Sequence, residues 1–111
     1  MTERHRMTYH AACVLQALAK GARYGFDIMD LTGLPSGTVY PILRKFEEQG
    51  LVGSNWEAAS EAFEKGRPRR RNYELTNQGR VALADASNRF RAHERLFSDA
   101  PRAAPQGGET S

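Results

Sequence analysis

Five cations crowd into one short stretch of the chain, residues 65–71. They are Lys65, Arg67, Arg69, Arg70 and Arg71, with a glycine and a proline between the first three. Like charges held this close repel one another, so the segment favours an anionic partner. A nucleic-acid backbone suits it, because each phosphate that is neutralised releases condensed counter-ions, and arginine can also enter a narrow minor groove. A solvated loop kept soluble by its charge is the alternative interpretation.

A second polar set lies between residues 36 and 45, on the outward side of a predicted helix. It comprises Ser36, Gly37, Thr38, Tyr40, Pro41, Arg44 and Lys45. The major groove of B-DNA admits one helix, whose side chains reach base edges while hydroxyls and cations contact phosphates. Arg44 could then read a guanine edge, Thr38 and Tyr40 could bind phosphate oxygens, and the amides around Gly37 could hold an anion. An exposed helix face with an incidental pair of cations is the alternative.

The residues that carry most enzyme chemistry form no catalytic pattern in this chain. His5, His10 and His93 are scattered, the acids show no paired arrangement, and no glycine-rich phosphate loop follows a strand. The sequence therefore predicts a protein that is not an enzyme and needs no cofactor or metal. His10 and Cys13 lie one helical turn apart and could begin a metal site, but a third ligand is not evident.

Composition and length indicate one small domain. The 111 residues are 40% hydrophobic and 26% charged, with a net charge of +3, and a core of this size leaves marginal stability, so a partner subunit is expected. The single cysteine, Cys13, has apolar neighbours that predict a small buried side chain in a reducing compartment. No apolar run approaches the roughly 20 residues of a membrane span, and residues 1–8 lack one altogether, which predicts a cytoplasmic protein.

Three helical patterns follow one another in the first half of the chain. The first spans residues 8–20 with Thr8 as N-cap, and the second ends at Gly33, only a short link before the third, which predicts a helix-turn-helix. Because Pro41 lacks an amide proton, we expect the regular part of the third helix to begin at Thr38. The predicted inward residues are Ala11, Val14, Leu15 and Leu18, then Tyr24, Ile28 and Leu31, then Val39, Ile42, Leu43 and Phe46.

Alternating residues predict two strands that pair as a hairpin. One face carries Val52, Ser54 and Trp56 on the first strand and Arg71, Tyr73 and Leu75 on the second. The connection, residues 58–68, is long for a hairpin and is predicted to be a functional or mobile loop. The acids that precede its cations, Glu57, Glu61 and Glu64, are expected to face away from DNA. We expect Trp56 to cover the edge of the core rather than to stack on an effector.

A helix of about five turns is predicted from Thr76, its N-cap, to residue 97. Its apolar face needs a partner, which predicts a dimer interface composed of Leu83, Ala86, Phe90, His93 and Phe97. The fold class is therefore α+β and mainly α, a winged helix-turn-helix with a C-terminal dimerisation helix. The predicted divisions are a DNA-binding domain over residues 1–75, the dimerisation helix over 76–97 and a disordered tail over 98–111.

Several motifs in this order resemble PadR-family transcriptional regulators over about residues 8–97. They are YGFDI at 24–28, LPSGTVYPIL at 34–43, EEQGLV at 47–52, and GRPRRRNYELT at 66–76 followed by Gly79 and Arg80. The single short last helix resembles the smaller subfamily, whereas the loop before Gly66 is longer than usual for the family.

The resemblance implies a homodimeric repressor whose first and last helices form the dimer. It assigns Tyr40, Arg44 and Lys45 to operator contacts of the recognition helix, and 67–71 to contacts of the wing. Members of the family often release DNA when a small aromatic or drug-like effector binds near the dimer interface. Two alternatives remain: a winged helix whose basic loop meets an acidic protein, and a metal-responsive regulator that uses His10 and Cys13.

Overall fold

The computed structural model describes residues 7–99, which form five helices and one antiparallel hairpin. This mainly helical arrangement confirms the winged helix-turn-helix predicted from the sequence. Most of the predicted disordered tail, residues 100–111, lies outside the described residues, and its first two residues extend the last helix. The elements are α1 (Tyr9–Ala19), α2 (Gly25–Thr32), α3 (Ser36–Glu48), β1 (Val52–Trp56), α4 (Ala59–Glu64), β2 (Arg71–Leu75) and α5 (Asn77–Asp99).

Local hydrogen bonds fix where the first and third helices begin. The Thr8 hydroxyl accepts the amide of Ala11 at 3.1 Å, which confirms the predicted N-cap of α1. The predicted start of α3 at Thr38 is wrong. The carbonyl of Pro35 accepts the amides of Thr38 and Val39 at 2.9 and 3.0 Å and closes the first turn from Ser36. Pro41 therefore lies inside α3, where the helix forgoes one amide donor.

The core lies where α1, α2 and α3 meet the hairpin. The side chains with the least exposure are Val14, Leu15, Ile28, Val39 and Leu43, all of them predicted to face inward. Two other predictions of burial are wrong. Leu31, in the last turn of the eight-residue α2, is 57% exposed, and Cys13 is only half-buried.

The hairpin has the predicted pairing. Val52 pairs with Leu75, Ser54 with Tyr73 and Trp56 with Arg71, so the predicted faces coincide. Trp56 was predicted to cover the edge of the core, but its side chain is 53% exposed. The connection is not a plain loop, because it contains the six-residue helix α4, whose Ala62 is buried. A helix this short carries too little apolar repetition to be recognised in sequence.

Helix α5 begins where the hairpin ends, and it is anchored there. The Thr76 hydroxyl accepts the amide of Gly79 at 3.0 Å, as predicted for an N-cap, and donates to the carbonyl of Gly50 at 2.7 Å. Helix α5 packs on α1, whereas its residues 91–98 are exposed. Within residues 7–99, the helices are too short or too polar to cross a bilayer.

Candidate nucleic-acid interface

Helix α3 presents a polar face because its apolar residues are turned toward the core. Val39, Leu43 and Phe46 are buried, and the opposite side carries the predicted contact residues. All seven of these except the half-buried Thr38 are exposed: Ser36, Gly37, Tyr40, Pro41, Arg44 and Lys45. The structure thus brings the predicted residues of α3 together on one accessible surface.

Tyr40 is held by the start of the preceding helix. A Cβ atom added to Gly25 would lie 2.0 Å from the Tyr40 hydroxyl oxygen, so a larger residue at this position would displace the Tyr40 ring. Tyr40 nevertheless remains 41% exposed. Its hydroxyl group is therefore placed between α2 and α3, where the two helices of the helix-turn-helix meet.

A groove joins α3 to the hairpin. It has a volume of about 280 Å³ and is lined by Tyr40, Arg44, Glu47, Arg71 and Tyr73. The two arginines come from different elements, Arg44 from the helix and Arg71 from the second strand. Burial raises the pKa of the Tyr73 hydroxyl above its usual value near 10.

Glu47 connects the two elements, and sequence analysis did not identify it. Its carboxylate accepts hydrogen bonds from the Ser54 hydroxyl and from Arg71, the latter at 3.5 Å, while Arg71 Nε donates to Ser54 Oγ at 3.0 Å. Glu47 thus orients Arg71, a cation of the wing (β1, α4 and β2), toward α3, the recognition helix. In the sequence, Glu47 is recognisable only as an acidic residue directly after the core residue Phe46.

At the base of the wing, the acid Glu57 is buried, at 7% exposure. Arg67 donates to both of its carboxylate oxygens, at 2.5 and 2.8 Å, and the Arg70 amide donates to one of them at 3.2 Å. The hydrogen bonds from Arg67 chiefly hold the pKa of Glu57 down, at about 2, and Glu57 in turn raises the pKa of Arg67. By contrast, Glu61 and Glu64 are exposed, as expected of acids outside the core.

The wing cations divide into two groups that the sequence does not distinguish. Lys65 and Arg69 are exposed, whereas Arg67, Arg70 and Arg71 are half-buried. The guanidinium carbon of Arg70 lies 3.7 Å from the centroid of the Tyr24 ring at the start of α2. Arg69 and Arg71 flank Trp56, at 5.9 and 5.3 Å from its ring centroid.

The depressed pKa of Glu57 predicts a stability change in acid. A group with a lowered folded-state pKa stabilises the fold fully above its usual pKa, near 4.5, and loses that contribution as pH falls toward about 2. We expect wild type to melt above Glu57→Gln by a margin that is constant above about pH 5 and shrinks below it. Thermal melts of both proteins from pH 6 to pH 2.5 measure this margin. An equal margin at both ends would contradict the assignment.

The predicted dimer residues occupy two different environments on α5. Ala86 is 1% exposed and Leu83 packs against the core, so both lie mainly within their own chain. Phe90 meets the Tyr9 ring edge-on at 5.4 Å, and His93 lies 6.3 Å from Phe90. Phe97 is 76% exposed. The surface that a partner could cover thus begins near Phe90 and extends toward the end of the helix.

Within the described part of the chain, no group of three or more histidine, cysteine, aspartate or glutamate side chains could hold a metal ion. His10 and Cys13 therefore have no third ligand of these types between residues 7 and 99.

The comparison with protein families identifies the chain. The family described as Transcriptional regulator PadR-like matches residues 14–85, which is more than half of the sequence. The chain belongs to the PadR-like family. The match includes α2, α3 and the whole wing, the elements that form the surface described above. PadR-family proteins are DNA-binding transcriptional regulators, which confirms the prediction that this chain is not an enzyme.

Solved structures share the architecture of this PadR-like chain. A PadR family transcription regulator from Clostridium difficile R20291 has a TM-score of 0.70 and 25% identity, over 83% of this chain and 97% of that one. BpsR of Bordetella bronchiseptica, whose DNA binding is regulated by 6-hydroxynicotinic acid, has a TM-score of 0.68 and 17% identity, over 94% and 73%. PcaV of Streptomyces coelicolor, solved with its natural ligand, has a TM-score of 0.72 and 21% identity, over 87% and 64%. The last two show the fold alone. No curated protein matches the sequence.

Proposed function

We propose that this PadR-like regulator is a homodimeric repressor that binds an inverted-repeat operator in the cytoplasm and is released by a small effector. The observation that carries the proposal is the groove shared by Arg44 of α3 and Arg71 of β2. It makes the recognition helix and the wing one continuous surface. Such a surface can follow a duplex from the major groove to the neighbouring backbone.

The proposed DNA contacts follow from exposure and chemistry. Arg44 projects from the outward face of α3 and would donate to a guanine edge. Tyr40, Thr38 and Lys45 would bind phosphates, as would the amides of Ser36 and Gly37 at the start of the helix. On the wing, the exposed Lys65 and Arg69 would meet the backbone.

The proposed dimer joins α1 and α5 of two copies. Tyr9 on α1 and Phe90, Leu96 and Phe97 on α5 are apolar, and three of them are largely exposed in a single chain. Covering large apolar side chains is the usual driving force for permanent association. A two-fold dimer would place its recognition helices about 34–36 Å apart, one turn of B-DNA.

The proposed effector site is a cavity of about 550 Å³ between the start of α1, the end of α3 and the middle of α5. Its volume lies in the usual range of small-molecule sites. Most of its lining is apolar, and Lys45, Asp85 and Arg89 supply charge. Because Lys45 also belongs to the DNA-facing side of α3, an anionic ligand here would draw that cation away from phosphate. The regulation of BpsR by 6-hydroxynicotinic acid supports a ligand of this class.

Selection from a random library of 30-base-pair duplexes tests the operator and the dimer together. We expect the full-length protein to enrich an inverted repeat whose half-sites are centred one helical turn apart, and to bind it as a dimer in sedimentation experiments. A strictly monomeric protein that enriches no sequence would contradict the proposal and would favour a protein-interaction module.

A further inference from the structure

The most cationic segment of the chain encloses a buried acid. Glu57 lies at the end of β1, and its side chain is almost completely covered. A buried carboxylate without partners would be costly, and this one is satisfied by the segment that the sequence predicts to bind phosphate. The contacts of Glu57 therefore determine which cations of the wing remain available to bind phosphate.

Two residues of the wing are clamped by this carboxylate, one on each side of Arg69. Arg67 binds it in the bidentate geometry that carboxylates favour. On the other side, the Arg70 amide donates to the carboxylate, and the Arg70 guanidinium lies 3.9 Å from it. Arg69 itself donates from Nε to the main-chain carbonyl of Glu57 at 2.8 Å and remains exposed.

The clamp also orients the wing relative to the helix-turn-helix. Arg70 stacks on the ring of Tyr24, the residue that precedes α2, and Tyr24 forms an isolated bridge with Asn72 of β2. The same arginine thus contacts Glu57, directly after β1, and Tyr24, directly before the helix-turn-helix.

We infer that Glu57 is a positioning residue for DNA binding: by holding Arg67 and Arg70 it presents Arg69 to the phosphate backbone. Arg67 and Arg70 then act inside the wing rather than on DNA. Moving Arg67 onto a phosphate would leave the Glu57 carboxylate buried with fewer partners, which opposes that exchange. The inference rests on the proposed DNA-binding function. It adds that one acidic residue, Glu57, strengthens the binding of a polyanion, DNA.

The test compares two variants that each remove one negative charge from the same part of the chain. Glu57→Gln loses the clamp, whereas the control Glu64→Gln alters an exposed acid of α4 that forms no ion pair with the described residues. Fluorescence anisotropy with a random-sequence 30-base-pair duplex measures affinity. Long-range electrostatics alone predicts that both variants bind more tightly. We expect Glu64→Gln to bind as tightly as wild type or more so, and Glu57→Gln to bind at least about fivefold more weakly, since one well-placed phosphate contact is lost.

A double-mutant cycle separates positioning from direct contact. If Arg67 acts only through Glu57, Arg67→Ala has little further effect on affinity in the Glu57→Gln background. Losses that add would show that Arg67 meets phosphate independently and would overturn the inference. Restored affinity in Glu57→Asp, which retains the charge, would support it. Glu57→Gln that binds as tightly as Glu64→Gln would overturn it.

Limited trypsin digestion without DNA provides a readout that does not depend on the proposed function. The clamp predicts faster cleavage after Arg69 and Arg70 in Glu57→Gln than in Glu64→Gln, with equal helical content by circular dichroism. Equal cleavage rates would overturn the inference even if wild type binds DNA. Faster cleavage in a protein that binds no duplex would support the clamp and contradict the proposed function instead.

Discussion

Arg44→Ala is expected to weaken binding to the selected operator by about 1–3 kcal/mol for each half-site, or roughly 5- to 150-fold per contact, and to remove the preference at one base pair in each half-site. Arg44 is exposed on the outward face of α3 and lines the groove that this helix shares with the wing. A bidentate contact with a guanine edge depends on the planar guanidinium, which alanine cannot replace. Gel shifts on the operator and on duplexes altered at each position measure both effects.

The adjacent residue provides the matched control. Lys45 is also exposed on α3, but a phosphate contact carries no sequence information. Lys45→Ala should therefore weaken binding to all duplexes by the same factor and reduce the slope of log affinity against log salt by about 1.8, because each dimer loses two phosphate contacts. If Arg44→Ala also produced equal losses on matched and altered duplexes, Arg44 would not read a base.

Gly79→Ala is expected to lower the free energy of unfolding by about 3 kcal/mol and to reduce the Tm by more than about 10 °C. A Cβ atom at this buried position would lie 2.0 Å from the carbonyl oxygen of Leu51 and 3.1 Å from Leu75 Cδ2. The first of these is backbone and cannot rotate away. The start of α5 would have to move off the hairpin and disturb the hydrogen bond between Gly79 and Thr76. Thermal melts at fixed protein concentration measure the loss.

Gly37→Ala is the control for this substitution. Gly37 also lies in the first turn of a helix, but a Cβ atom there meets nothing within 4 Å. We expect its Tm to equal or slightly exceed that of wild type, because alanine restricts the unfolded chain more than glycine does. If both variants lost a similar amount in Tm, the cost of Gly79→Ala would come from alanine in the first turn of a helix and not from the contact with Leu51.

Short-range patterns made most of the fold predictable. Thr8 and Thr76 are each followed by helical spacing, and each hydroxyl does accept the predicted type of amide hydrogen bond. Alternation placed Ser54 and Tyr73 on paired positions of the hairpin. Pro41 was misleading, because the first turn of α3 closes on Pro35 whether or not a later amide is missing. Helix α4 was not predicted because six residues are too few to establish a helical period of apolar side chains.

By itself, the sequence determined the order of the elements, the polar face of α3 and the cationic character of the wing, since each depends on residue type and local spacing. Only the tertiary structure decided which charged side chains are held in contacts within the protein and which remain exposed. Glu57 and Arg67 are ten residues apart, and Arg70 reaches Tyr24 in another part of the fold. An ion pair forms where packing places two groups within a few ångströms of each other and excludes water, and chain folding alone creates that proximity and that burial.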